Sequence, residues 1–153
     1  MSVLRITRTV YDAMRVHGEE AYPAEACGAL LDRFSPGGSV VETAVRATNV
    51  LAGVDNTRYQ IDPAELVRIE RDARRQGLGI AGFYHSHPNH AAQWSPTDLE
   101  EAHWLGCSYV ITAISFGKAA ETNSFLLAGQ SEDDKKFEKE EIQIIEGATP
   151  EGN

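Results

Sequence analysis

Two histidines, His85 and His87, lie two positions apart, with one residue between them, at the end of the apolar segment 79–87. On a strand their rings leave the same face, about 7 Å apart along the chain at a rise of ~3.3 Å per residue. Imidazole nitrogens bind zinc at ~2.0–2.1 Å, and Asp98 is near enough in sequence to supply a third ligand. Three protein ligands with one position open are typical of catalytic zinc, which activates water as a nucleophile.

The same residues also have simpler explanations. Alternating histidines on a strand are often hydrogen-bonded structural residues, and an acid such as Asp98 suits the positive end of a helix. Two histidines and a carboxylate also bind iron in non-haem oxygenases, so ligand types alone do not identify the metal. The pattern is therefore a hypothesis that depends on its structural context.

A group that accepts and returns the proton of the attacking water is also needed, and Glu25 is the candidate. It stands just before a predicted strand that can lie beside the strand of histidines. A surface acid after a helix is the alternative. His90 is expected to be exposed and not metal-bound, because three ligands and a water complete such a site. Ser86 is expected to point to the opposite face of the strand from its histidine neighbours.

Three helices are predicted from their capping residues and apolar spacing. The first follows Thr7 and stops before Pro23, and the second covers about 62–76. Ser95 begins the third, which is expected to extend to about Gly106. This third helix carries Asp98 in its first turn.

Short apolar or branched segments predict the strands, which cover about 26–31, 40–45, 79–87, 109–115 and 123–128. Together with the helices they predict an α/β fold in which a mixed sheet is flanked by helices. We expect one domain over residues 1–130. An acidic, partly disordered C-terminal tail is expected over 131–153, where only a short Ile-Gln-Ile-Ile segment could pair with a sheet edge.

Composition narrows the function classes. A chain of 153 residues with 42% apolar content fits one compact domain, and a net charge of −9 argues against nucleic acid as a partner. We expect a cytoplasmic protein without a membrane contact, because no apolar run approaches ~20 residues and the N-terminus lacks the features of a signal peptide. Cys27 and Cys107 form no closely spaced pair, so neither a disulfide framework nor a cysteine zinc site is indicated.

The whole arrangement resembles the JAMM (MPN-plus, JAB) metallopeptidase motif. The resemblance rests on His-Ser-His at 85–87, seven intervening residues, Ser95, two more residues and Asp98, with Pro-Ala-Glu-Ala-Cys-Gly upstream at 23–28. It spans most of the chain. Tyr-Gln-Ile-Asp-Pro at 59–63 and the segment 82–88 look like the small stand-alone bacterial branch, which is similar to enzymes that process ubiquitin-like sulfur-carrier proteins.

The resemblance implies a role for each matching residue. His85, His87 and Asp98 would bind one Zn²⁺ per chain, Glu25 would be the general acid and base, and Ser95 would help to stabilise the oxyanion. It also implies a cytidine-deaminase-like architecture for the α/β fold.

The reaction implied is hydrolysis of an amide or isopeptide bond after the Gly-Gly tail of a ubiquitin-like or ThiS/MoaD-like sulfur-carrier protein. A zinc peptidase acting on cell-wall or other small peptides remains an alternative, since its metal chemistry would be the same. A non-catalytic MPN scaffold or interaction module would be expected to lack ligands, and none is missing here. A RadC-type protein with a DNA connection would usually carry asparagine between the histidines and a further domain, and this sequence has neither.

Overall fold

The computed structural model describes residues 2–146, so the last part of the predicted tail, 147–153, lies outside the described residues. Within that range the chain forms seven strands and three helices. In chain order they are β1 (Val3–Thr7), α1 (Arg8–Ala21), β2 (Cys27–Ser35), β3 (Gly38–Ala47), α2 (Pro63–Arg75), β4 (Gly79–Pro88), α3 (Pro96–Glu100), β5 (Ser108–Ser115), β6 (Lys118–Ala128) and β7 (Lys136–Ile145).

The sheet is mixed, as predicted, but it closes into a barrel in the order β1-β3-β2-β4-β5-β6-β7. The pairs β1–β3, β1–β7 and β4–β5 are parallel, and the remaining neighbours are antiparallel. The expectation of a sheet simply flanked by helices is corrected in this respect. Closure depends on β1, which the sequence patterns did not predict, and on β7.

Strand β7 includes the Ile-Gln-Ile-Ile segment and extends well beyond it. It pairs with β6 on one side and with β1 on the other. The charged composition of this segment did not predict the full strand, because one of its acids, Glu140, is buried where an apolar residue would be expected. Its carboxylate accepts hydrogen bonds from the hydroxyls of Ser2, Ser108 and Ser124, which compensate for the burial of its charge.

Helix α1 confirms the first predicted helix and packs behind the strand of histidines. The Oγ1 atom of Thr7 accepts a hydrogen bond from the backbone N–H of Val10 at 3.2 Å, which caps the helix. Gly18 lets the helix approach closely, because a β-carbon there would lie 2.7 Å from Ile114 Cδ1 and 3.3 Å from Ser86 Cβ. The helix therefore supports β4 from the face opposite the histidines.

Helix α2 forms where it was predicted, but α3 ends at Glu100 and does not extend to about Gly106. The early end has a physical cause. The ammonium of Lys135 donates to the carbonyl of Glu100 at 3.1 Å and to that of Ala102 at 2.8 Å. These carbonyls therefore have hydrogen-bond donors without the N–H groups that a further helical turn would supply. The chain then turns inward, where Ala102 is buried and Trp104 packs in the core. No helix within residues 2–146 is long and apolar enough to cross a membrane.

Candidate metal centre

The three predicted ligands meet at one end of the barrel. The Nε2 atoms of His85 and His87 lie 3.2 Å apart. The Asp98 carboxylate lies beside both, with Oδ1 at 3.3 Å from Nε2 of His85 and Oδ2 at 3.1 Å from Nε2 of His87. One side-chain ligand atom from each residue thus lies within 4.8 Å of the others, close enough for one ion to contact all three.

Local secondary structure orients the side chains of His85, His87 and Asp98. The histidines lie on β4, which pairs with β2 on one side and β5 on the other, and His85 is almost fully buried. A capping box directs Asp98. The Ser95 hydroxyl accepts from the Asp98 N–H at 3.0 Å, and Oδ2 of Asp98 accepts from the Ser95 N–H at 2.9 Å. The same interactions that start α3 therefore fix the carboxylate in front of the two rings.

The three side chains fit a metal cation because their atoms with free electron pairs face one another. Nδ1 of His87 lies 2.9 Å from the carbonyl of Ala91, which can only accept, so this nitrogen carries the proton. Nε2 of a neutral His87 then turns a lone pair towards a carboxylate oxygen and a second imidazole nitrogen. A proton or a cation must lie between such groups.

In the metal-free protein a proton partly takes the place of the cation between the carboxylate and the two imidazoles. Burial opposes the charged form of His87, but hydrogen bonds to Asp98 and Ala91 outweigh burial and raise its pKa. Burial likewise opposes ionisation of Asp98, yet hydrogen bonds from His85 and His87 hold the pKa of its carboxyl well below the ordinary range. The pKa of His85 is lowered by burial. The carboxylate is therefore ionised and ready to bind a cation at neutral pH.

Glu25 reaches this centre through strand pairing. Cys27 pairs with His85, and extending this antiparallel register by two residues places Glu25 opposite His87. Ser86 strengthens the junction, because its hydroxyl accepts from the Ala26 N–H at 2.8 Å and its own N–H donates to the Ala26 carbonyl at 3.1 Å. Ser86 thus lies on the side of β4 away from the ligands, as its position in the strand predicted.

The Glu25 side chain is buried and incompletely satisfied. Only 4% of the residue is exposed, and among residues 2–146 its Oε1 atom has no hydrogen-bond partner. Burial raises the pKa of Glu25 to about 8, and the charge of Asp98 adds to this while His87 opposes it. A carboxyl whose pKa lies near neutrality, beside a cluster of metal-type ligands, has the properties of a general acid and base.

The raised pKa of Glu25 predicts how stability changes with pH in the metal-free protein. Folded Glu25 binds its proton more tightly than unfolded Glu25, whose ordinary pKa is 4.5. This contribution is fully present below about pH 4.5 and is lost as pH rises through about 8. Relative to Glu25→Gln, the chelator-treated wild type should lose about 3 kcal/mol between pH 5 and pH 8 in urea unfolding. Parallel pH profiles for the two proteins would contradict this expectation.

Two further residues organise the centre and were not singled out from the sequence. Asn49 donates from Nδ2 to the Glu25 carbonyl at 2.9 Å, and its Oδ1 accepts from the N–H groups of Leu51 and Gln60 at 3.0 Å each. It thereby joins the loop after β3 to the backbone of Glu25. No short motif marks such a contact, because it depends on a loop closing over two distant segments.

Tyr59, which the loop carries, stacks on His85. The ring centroids are 4.5 Å apart and the planes differ by 23°. The buried Nδ1 atom of His85 has no hydrogen-bond partner within the described range, whereas a metal-binding histidine usually donates from its second nitrogen to an acceptor. Stacking therefore replaces that hydrogen bond in orienting the ring. The sequence drew attention to the segment 59–63 only as part of a resemblance.

A cavity of about 330 Å³ opens beside the ligands. Glu25, His87 and Ser95 line it together with Thr57 from the loop and the exposed His90. His90 lies outside the cluster formed by His85, His87 and Asp98. Ser95 uses a lone pair to cap α3, so its O–H is still free to donate into the cavity.

Comparisons with known proteins agree with this fold. Residues 7–128 match the model of a family described as prokaryotic homologs of the JAB domain. A desampylase of Haloferax volcanii is 32% identical over 114 residues, covering 72% of this chain and 80% of that protein. A probable TtuB-protein conjugate cleaving protease of Thermus thermophilus is 32% identical over 102 residues, covering 67% of this chain and 65% of the relative's length.

Solved structures show the same fold. A protein from Salinibacter ruber, 35% identical, superimposes with a TM-score of 0.72 over 98% of this chain and 97% of its own. One from Desulfitobacterium hafniense, 27% identical, gives 0.77 over 95% and 94%. A JAB1/MPN domain protein from Archaeoglobus fulgidus, at 16% identity, gives 0.61 over 95% and 100% and supports the fold alone. With its family match extending from the end of β1 to the end of β6, this chain belongs to the prokaryotic JAB-domain family.

Proposed function

We propose that this protein is a zinc-dependent isopeptidase that hydrolyses the bond after the Gly-Gly tail of a ubiquitin-like or ThiS/MoaD-like carrier protein. The observation that carries the proposal is the buried Glu25 carboxyl beside the cluster of His85, His87 and Asp98. Of these four residues, Glu25 and His87 line the cavity directly. Relatives named as a desampylase and as a probable conjugate-cleaving protease support the choice of substrate.

His85, His87 and Asp98 would hold the zinc ion. Zinc bound in this way supplies Lewis-acid activation of water and of the substrate carbonyl. A cation close to Glu25 would also favour its ionised form, because an opposite charge lowers the pKa of a carboxyl. Glu25 would then be available as a base at neutral pH in the metal-loaded protein.

Glu25 moves the proton in this mechanism. Its carboxylate accepts a proton from the attacking water and later delivers it to the leaving amine. Oε1 is suited to this because no other group in the described part of the chain hydrogen-bonds to it. Asn49 holds the backbone carbonyl of Glu25 and so keeps the carboxyl at the cavity.

Ser95 is proposed to stabilise the negative charge that develops on the substrate oxygen. Its backbone N–H is committed to Asp98, so the donor that it can offer is the hydroxyl proton. Removing one such donor typically costs about 10²–10³-fold in kcat. The capping box keeps this hydroxyl in place before the substrate arrives, which is the preorganisation that such stabilisation requires.

The shape of the cavity favours a tail of small residues. It has a volume of about 330 Å³ and is lined by Thr57 on the loop side and by Ala91 and Gln93 on the other. Glycines lack a β-carbon, so a Gly-Gly tail can bring its backbone closest to these walls and to Glu25 and His87.

This reading predicts that replacing the penultimate glycine of a carrier substrate with leucine lowers kcat/KM by more than about tenfold. Changing the leaving group from lysine to another primary amine should have a smaller effect. Mass spectrometry of the products reports both cleavage position and rate. Comparable cleavage with leucine, or cleavage of cell-wall peptides only, would reject the carrier substrate and leave a zinc peptidase of small peptides. A protein that binds zinc and hydrolyses neither class would be a non-catalytic scaffold.

A further inference from the structure

The loop between β4 and α3 is held at two successive backbone carbonyls. The Ala91 carbonyl accepts from Nδ1 of His87 at 2.9 Å, and the Ala92 carbonyl accepts from Nδ2 of Asn123 at 2.9 Å. The first hydrogen bond reaches a proposed metal ligand on β4, whereas the second reaches β6. Because peptide bonds are planar, only the two rotatable backbone bonds of Ala92 relate the directions of these carbonyls. Fixing the second carbonyl therefore restricts the first.

The two alanines differ in what else holds them. Ala91 is exposed, and its methyl group cannot set the direction of its carbonyl. Ala92 is completely buried against Ile111, Ala113 and Phe125. Packing of a methyl group fixes the place of Ala92 but not the direction in which its carbonyl points. A hydrogen bond is directional, so the amide of Asn123 supplies what packing lacks.

Asn123 is an unusual residue for its position. It is buried within β6, and asparagine is depleted in strands. Burial of its amide costs free energy unless the amide forms hydrogen bonds. A carbonyl oxygen can only accept, so the atom that faces Ala92 must be Nδ2, which fixes the orientation of the amide. The bond to the loop therefore accounts for an amide at this point in the strand.

Asn123 lies too far from the metal centre to act on it directly. Ile111 on β5 pairs with His85 on one side and with Asn123 on the other. Asn123 is thus two strands away from His85, or about 10 Å at ~4.8 Å between neighbouring strands. Any effect of its amide on the centre must pass through the loop.

We propose that Asn123 is a positioning residue for the His87 ring, an inference that rests on the proposed role of His87 as a metal ligand. Nδ2 of Asn123 fixes the Ala92 carbonyl, and the backbone of Ala92 then directs the preceding carbonyl towards β4. That carbonyl holds Nδ1 of His87 and leaves Nε2 facing Asp98. A histidine whose second nitrogen donates to a fixed acceptor keeps one tautomer and one ring orientation, as metal binding requires.

The test is Asn123→Leu, which keeps a side chain branched at the γ-carbon and removes the amide donor. The buried Ala92 carbonyl loses this donor, so the melting temperature should fall by about 2–10 °C. The dissociation constant for zinc, measured by competition with a chromogenic chelator, should rise about tenfold. This is the lower end of the range for groups that orient a ligand, because Asn123 acts through a further residue.

An NMR signal separates positioning from a purely structural role. In the chelator-treated protein labelled with ¹⁵N, the Nδ1–H proton of His87 should give a downfield signal, which His87→Gln assigns by removing it. In Asn123→Leu this signal should vanish through faster exchange with water. A general loss of stability would not affect this one proton in molecules that remain folded. Asn123→Ala, which adds no bulk, takes the place of Asn123→Leu if the latter does not fold, and is judged by the same two measurements.

Thr112→Val is the matched control, because it removes a buried hydrogen bond between the same two strands. Thr112 is 3% exposed, and its hydroxyl lies 3.0 Å from that of Thr122. This pair is one residue along from the pair of Ile111 and Asn123, so its side chains lie on the other face of the sheet. Zinc affinity and the His87 signal should stay at wild-type values in this control, even if its melting temperature falls.

Either an unchanged His87 signal or, in a wild type that binds zinc, an unchanged zinc affinity in Asn123→Leu would overturn the inference and leave Asn123 as a structural residue. Equal losses in Thr112→Val would overturn it too, because they would follow from destabilisation of the strand pair. A wild type that binds no zinc would overturn the ligand set of the proposed function. The His87 signal would still decide whether Asn123 positions the ring.

Discussion

Glu25→Gln is expected to lower hydrolysis by about 10²–10⁴-fold while the fold and the zinc content stay unchanged. The amide has nearly the shape of the carboxyl but cannot accept the proton of water. Burial gives this substitution a second advantage, since the neutral amide resembles the protonated acid that Glu25 forms in the metal-free protein. The loss should therefore appear in kcat and not in stability.

The control for this substitution is a second buried glutamate. Glu140→Gln changes an acid that is also 4% exposed, but its carboxylate is bound by three serine hydroxyls near the start of β5, away from the ligand cluster. Turnover per folded molecule should stay near wild type in this variant even if its stability falls. Equal turnover by Glu25→Gln and wild type at matched zinc occupancy would remove Glu25 from the mechanism.

The parts of the centre that could be predicted are those determined by residues close together in the sequence. His85 and His87 share a face because side chains alternate along a strand, and Asp98 is directed by the start of a helix whose cap residue, Ser95, is visible in the sequence. These are local rules, and they do not depend on how the remaining chain folds. Only the length of α3 was overestimated.

The parts that could not be predicted depend on long-range contacts. Ala26 bonds to Ser86 across 60 residues, and this pairing brings Glu25 to the ligands. Ser2 reaches Glu140 across 138 residues at the seam where β1 meets β7. No periodicity in either segment specifies its partner, so the barrel closure was not expected. The resemblance to a family implied a role for Glu25, and strand register places the residue opposite His87.

The Tyr59 contact illustrates a further kind of information that sequence patterns lack. A tyrosine at the end of a polar loop is usually interpreted as a surface or rim residue. Here the loop is drawn back by Asn49 and by the ion pair between Arg58 and Glu101, and the ring covers His85. The stacking of Tyr59 on His85 is therefore a property of loop closure.

The second large effect is expected for His85→Ala, which should lose its zinc during dialysis against a moderate chelator that leaves the wild type loaded. Removing a ligand costs more than removing a group that only orients a ligand, for which losses of about 10–100-fold are typical. His90→Ala is the control, because His90 lies at the same cavity but outside the ligand cluster. Its zinc affinity should equal that of the wild type.

Substitutions at Tyr59 extend this experiment from the ligands to their support. Tyr59→Phe keeps the stacked ring and should bind zinc as the wild type does, because the stack and not the hydroxyl orients His85. Tyr59→Ala leaves the unpartnered Nδ1 of His85 without any orienting contact and should weaken zinc binding by about 10–100-fold. Competition with a chromogenic chelator measures all four variants on one scale. Full zinc affinity in His85→Ala would show that the ligand set is wrong, whereas equal affinity in Tyr59→Ala and Tyr59→Phe would show only that stacking does not orient the ring.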